Sequence, residues 1–100
     1  MEECPALRIM KLLGEKWVIV IIRELSENGK RFNELNRNIK MSSRTLSKRL
    51  KELEKVKIIK KQLFKEIPPR VEYSLTDAGK DLMKSFKNLD EWIKKWKIKI

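Results

Sequence analysis

Wound as an α-helix at about 100° per residue, residues 42–56 bring Arg44, Lys48, Lys51 and Lys55 to within about 40° of one line. Leu46, Leu50 and Leu53 lie on the other side. One arginine and several lysines on a single helix face are suited to one chemistry, the pairing of anionic oxygen. Arg44 can donate two hydrogen bonds to guanine O6 and N7, and Lys48 reaches the same atoms or a phosphate. Lys51 continues that face. Ser42, Ser43, Thr45 and Ser47 suit phosphate or base-edge contacts, and the N–H groups of the first turn point toward a phosphate as well. Either Ser42 or Ser43 can cap the helix, because a serine hydroxyl accepts from an otherwise unpaired first-turn N–H.

Composition narrows the alternatives. The 100 residues contain no histidine, which excludes a His-based triad, a histidine general base and a His-ligated metal. Cys4 is the single cysteine, so neither an intramolecular disulfide nor a cysteine cluster for zinc can form. No carboxylate cluster sits beside a nucleophile, and neither an enzyme, a metal nor a cofactor is expected. The start MEECPALRIM has two acids and no long apolar stretch, unlike a signal peptide. Its longest apolar run, Trp17 to Ile22, is far short of the roughly 20 residues that span a bilayer. A cytoplasmic protein with no membrane partner is the expectation.

The charge has a location. Net charge is +11, and residues 42–75 hold 10 basic and 4 acidic side chains, more than half of that surplus. A focused basic region points to a polyanion, whereas a uniform surplus mainly serves solubility.

The elements that must hold these side chains follow from breakers and periodicity. Pro5, Gly14, Gly29, Pro68-Pro69 and Gly79 divide the chain. Residues 5–13 read as a short helix with Pro5 in its first turn. Glu15 to Glu27 is two-sided: the run Val18-Ile19-Val20-Ile21-Ile22 favours a strand by propensity. Its polar flanks and the Asn28-Gly29 stop favour a buried helix, the preferred reading. Phe32, Leu35 and Ile39 share one helical face. From Ile58 the period becomes two: Ile59, Leu63, Val71, Tyr73 and Leu75 alternate with polar residues, and the two prolines belong in a hairpin tip. Thr76-Asp77 then caps a last helix. Its apolar positions Leu82, Phe86, Leu89, Ile93, Trp96 and Ile100 form a heptad seam that Met83 and Trp92 widen.

This order is that of a winged helix-turn-helix: mainly α with a small β-hairpin, one domain over 1–100. The helix-turn-helix is expected at about 31–56, the wing at about 58–75 and a C-terminal dimerisation helix at about 76–98. Lys65 and Arg70, with Lys60 and Lys61, make the wing basic enough to lie along a DNA backbone or place an arginine in a minor groove. Leu82, Phe86, Leu89, Trp92, Ile93 and Trp96 are the candidates for a dimer interface. The first half, Leu82 to Leu89, could simply pack on the domain itself, but Trp92, Ile93, Trp96 and Ile100 offer more apolar surface than so small a domain covers, and a two-fold dimer that also uses residues 5–13 would bury it. Two recognition helices would then meet double-stranded DNA about 34 Å apart on a near-palindromic operator. Repression is favoured over activation, since nothing resembles a polymerase-contacting domain. The competing class is a basic winged-helix module that grips nucleic acid or protein without sequence specificity.

Over nearly its whole length the chain resembles the HxlR family of winged-helix transcription regulators, related to the MarR type. The resemblance is carried by Cys4-Pro5, LLGEKW (12–17), REL (23–25), RFNEL (31–35), SSRTLSKRLKELE (42–54), PPRVEYSLTDAG (68–79) and Trp92. It implies a homodimer that holds DNA with the helix near 42–56 and the wing, and it supports a helix at 15–27. It also implies that Cys4 matches a near-terminal cysteine which in some members senses electrophiles or oxidants. Two departures stand out. The helix-turn-helix turn, Ile39-Lys40-Met41-Ser42, lacks the usual glycine and is one residue shorter. Val56-Lys57 replaces the usual Asp-Gly after the recognition helix, so a non-glycine residue must take positive φ.

Overall fold

A computed structural model describes residues 4–100. Five helices and one hairpin follow in the order α1 (Pro5–Leu13), α2 (Val18–Glu27), α3 (Phe32–Asn38), α4 (Ser43–Lys55), β1 (Ile59–Phe64), β2 (Arg70–Leu75) and α5 (Asp77–Lys95). The ambiguous run is helical. Wound at 3.6 residues per turn it places Val18, Ile21, Ile22 and Leu25 on one fully buried stripe, and burial of that stripe outweighs the β preference of its residues. The helix begins at Val18, not Glu15, because Trp17 takes a left-handed φ of 76° at the N-cap.

Helix α3 is short and opened by its own side chain: Glu34 accepts the Arg31 N–H at 3.1 Å. The turn into α4 explains its missing glycine. The Met41 N–H donates to the Ile39 carbonyl at 2.8 Å, closing a three-residue γ-turn at Lys40. No residue from Ile39 to Ser42 has positive φ, so no glycine is needed.

The core gathers α2, Leu35 and Ile39 around α3, Leu46, Leu50 and Leu53 of α4, Ile58 and Ile59, Leu75, and Phe86 of α5. The strands pair antiparallel with Ile59 opposite Leu75 and Phe64 opposite Arg70. Lys30 adds a one-residue bridge to Tyr73, through N–H to carbonyl bonds of 2.9 and 2.8 Å. This bridge lies on the β2 side and leaves β1 as the outer strand.

Two expectations about these elements need correction. Leu63, taken as an inward position of the alternation, is 62% exposed: Ile59 and Leu75 at the base of the hairpin are buried and Tyr73 packs against the core, while Leu63 lies farther out toward the tip. The last helix ends at Lys95 with Trp96 as its C-cap, whose N–H still donates to the Trp92 carbonyl at 3.1 Å, so Trp96 keeps its place on the seam and Ile100 leaves it. Lys97 turns left-handed at φ 50°. Lys97 and Ile98 donate to the Lys94 and Ile93 carbonyls at 3.2 and 3.0 Å, which closes the helix as a Schellman motif. Helix α5 is tied to α2 by Arg23 donating to Asp90 at 3.0 Å. That hydrogen bond holds the Asp90 carboxyl below the usual carboxylate range and raises the Arg23 guanidinium. Among the described residues, no helix is long and apolar enough to cross a membrane.

Candidate nucleic-acid interface

Helix α4 is anchored before it is aimed. Leu46, Leu50 and Leu53 are buried, which fixes its rotation and leaves Ser43, Arg44, Lys48, Lys51 and Lys55 exposed. Ser42 is the N-cap: its hydroxyl oxygen accepts the Thr45 N–H at 3.1 Å and its proton goes to Thr45 Oγ1 at 2.9 Å. Asn36 of α3 donates to Ser43 Oγ at 3.1 Å, joining the two helices across the turn. Ser42, Ser43 and Thr45 are therefore already oriented, and Thr45 and Ser47 sit half-buried at the edges of the face.

The far side of α4 is pinned by a residue that the helical wheel alone does not single out. Arg49, with a side chain only 14% exposed, ion-pairs with Glu52 at 3.0 Å and with Glu15 at 3.3 Å. Glu15 belongs to the turn between α1 and α2, so this pair fixes α4 against the start of the fold. A contact across 34 residues leaves no signature in local spacing.

The C-terminal end carries the departure noted in the sequence. Lys57 adopts φ 63°. It donates to the Glu54 carbonyl and Ile58 to the Leu53 carbonyl, each at 3.0 Å. This is a Schellman closure with lysine where glycine is the favoured residue.

In the wing, Lys60, Lys61 and Lys65 are exposed. Arg70 is not a free cation. Its guanidinium lies 3.4 Å from Glu66 and 3.0 Å from Glu72, and it stacks over the Phe64 ring at 4.2 Å. The Ile67–Pro68 peptide is cis, and Ile67 at the tip is fully exposed.

The apolar seam splits into two parts. Phe86, expected at a partner interface, is 7% exposed and belongs to the chain's own core, and Leu82 packs against it. Leu89, Trp92, Ile93 and Trp96 remain on the surface, as do Leu7 and Met10 of α1. Between α1 and α5 runs an apolar groove of about 590 Å³ lined by Ile9, Met10, Leu13, Leu82 and Leu89. Cys4, the free thiol, is exposed at the N-cap of α1.

A basic helix presented after a tight turn, with a basic hairpin beside it, defines a winged helix-turn-helix protein. HxlR-like helix-turn-helix proteins match over residues 12–100, and the chain belongs to that family. It is 35% identical over 100 residues to the uncharacterized HTH-type transcriptional regulator YdeP of Bacillus subtilis, covering 99% of this chain and 78% of YdeP. The reduced form of the B. subtilis transcriptional regulator YodB superposes with TM-score 0.83 at 36% identity, over 92% of each chain. YodB is also known diamide-treated and quinone-bound, with TM-scores of 0.80 and 0.79. The oxidized form of the redox regulator HypR superposes with TM-score 0.79 at 32% identity, over 92% of this chain and 96% of HypR.

Proposed function

We propose that the chain is a homodimeric transcription regulator that occupies a near-palindromic operator and represses by that occupancy. The observation that carries this reading is the exposed, preoriented first half of α4, with Arg44 and Lys48 one turn apart beyond the Ser42 cap. Arg44 reads a base edge. Ser42, Ser43, Thr45, Ser47, Lys48 and Lys51 hold neighbouring phosphates or base edges, and Lys65 follows the backbone from the wing. Arg70 joins them by exchanging a carboxylate for a phosphate. Leu89, Trp92, Ile93 and Trp96, with α1, form the two-fold interface, while Leu82 and Phe86 support it from beneath. Repression by occupancy requires only these two surfaces, and no catalysis, metal, cofactor or membrane. The site of action is the cytoplasm.

The test is competition binding on duplex DNA across a salt series, using an operator selected from random sequence. The expected outcome is a preference of about 10³ or more over bulk DNA, with affinity falling steeply as salt rises. Equal affinity for every duplex or for single strands instead identifies a non-specific basic module.

Cys4 gives this regulator its input. YodB is known diamide-treated and quinone-bound and HypR in an oxidized form, and Cys4 is an exposed free thiol. A quinone adds Cys4 Sγ to a ring carbon while the thiol proton passes to the ring system, leaving a hydroquinone thioether. Operator affinity should change on quinone treatment of the wild type and not of Cys4→Ser; unchanged affinity in both removes the sensing role.

A further inference from the structure

The recognition helix and the last helix meet at one small junction. Thr76, the N-cap of α5, donates its hydroxyl proton toward the Lys57 carbonyl at 2.6 Å and the Ile58 carbonyl at 3.1 Å. Its N–H donates to the Ile58 carbonyl at 3.0 Å. The same hydroxyl oxygen accepts the Gly79 N–H at 3.1 Å. Gly79 itself is buried against this point, and a Cβ there would overlap the Ile58 carbonyl oxygen. Lys57 and Ile58 are the two residues whose N–H groups close α4.

Four features therefore converge: a left-handed residue that ends one helix, a hydroxyl that caps the next, a shared carbonyl, and a glycine that permits close approach. An ordinary N-cap needs only the acceptor function of the threonine. The donor function, directed at the end of the preceding recognition helix, exceeds what capping requires.

We propose that Thr76 is the positioning residue that fixes the angle between α4 and α5, and through it the half-site spacing that the dimer accepts. This rests on the reading of the chain as a dimeric operator-binding protein. If α5 carries the two-fold interface, the orientation of each recognition helix relative to the dimer axis is set where α4 joins α5. Two recognition helices held at fixed angles accept one centre-to-centre spacing, and loosely held ones accept several.

The two functions of Thr76 can be separated chemically. Serine keeps donor and acceptor. Aspartate keeps an acceptor for the Gly79 N–H but has no proton to donate at neutral pH. Wild type, Thr76→Ser and Thr76→Asp are compared on duplexes whose half-sites are moved apart or together by one and two base pairs. Wild type and Thr76→Ser are expected to prefer one spacing by about tenfold. Thr76→Asp, still dimeric by sedimentation, is expected to bind all spacings within about twofold while ranking half-site sequences as before. A spacing preference in Thr76→Asp equal to wild type overturns the inference. Wild type that fails to discriminate any duplex overturns the operator reading instead. Should Thr76→Asp not fold, Thr76→Ala serves, with spin labels placed at Lys51→Cys in a Cys4→Ser background and no DNA present. The label-to-label distance distribution is expected to broaden against Thr76; an unchanged width overturns the inference.

Discussion

Arg44 and Lys48 stand one turn apart on the exposed face of α4, and their different chemistry predicts different losses. A planar guanidinium reads guanine through two bonds, whereas an ammonium is a point charge. Arg44→Ala should cost about 1–3 kcal/mol of operator binding and relax preference at one base pair. Equal weakening on every sequence assigns Arg44 to a phosphate. Lys57 makes a separate prediction about the protein itself. A non-glycine residue at positive φ carries a cost that glycine escapes, part of which glycine's freedom in the unfolded chain returns. Lys57→Gly should therefore stabilise the fold by up to about 1 kcal/mol, a rise of a few degrees in melting temperature for a domain of this size. A fall in melting temperature would show that the lysine side chain contributes more than its backbone costs. Both residues were legible in the sequence, one from helical spacing and one from a missing glycine. The Arg49–Glu15 pair and the Thr76 donor were not, since each depends on groups that only the folded chain brings together.

Among the elements, α2 shows where composition stops deciding. Its β-branched run fits a strand as well as a helix until the stripe of Val18, Ile21, Ile22 and Leu25 is seen against α5 and the sheet. Within the apolar run Val18 to Ile22 periodicity is invisible without knowing which residues are covered, and Leu25 alone beyond Arg23-Glu24 does not settle it. The wing illustrates the reverse case, in which the pattern was plain and its consequence was not. Alternation places Leu63 on an inward face, yet Leu63 stands toward the tip and stays exposed, while Tyr73 nearer the base packs against the core. The wing also holds a switchable cation. Glu66 is the more exposed of the two carboxylates around Arg70, and Glu66→Gln removes it without changing size. The expected result is tighter DNA binding, with a logarithmic salt slope steeper by up to about one phosphate contact. An unaltered slope would assign Arg70 to bracing the tip against Phe64 and Glu72.

At the scale of the whole molecule, the two long sides of α5 are unlike. Lys80, Lys84 and Lys87 occupy one side, near Ser26 of α2, and Leu89, Trp92 and Trp96 the other. Only the second can bury a partner. Trp96→Asp should convert dimer to monomer in sedimentation at micromolar concentration and weaken operator binding more than half-site binding. An intact dimer moves the interface to the groove beside α1. The net charge of +11 is thereby divided: on the proposed function the +6 of residues 42–75 would provide grip and salt dependence, and the lysines of α5 would keep the exposed apolar surface in solution.

The outer position of β1 bears on how such experiments are built. Its backbone offers a row of open donors and acceptors along IKKQLF, with Leu63 exposed beside them. Such an edge is a template for strand-to-strand aggregation, and lysine is the residue that most often blocks it. Lys60 and Lys61, with Lys65 just beyond the strand, thus set charge along this edge against self-pairing. Neutralising them with glutamine to weaken DNA binding would leave the edge unguarded and produce insoluble protein. Glutamate at the same positions reverses the charge offered to a phosphate and keeps the edge closed.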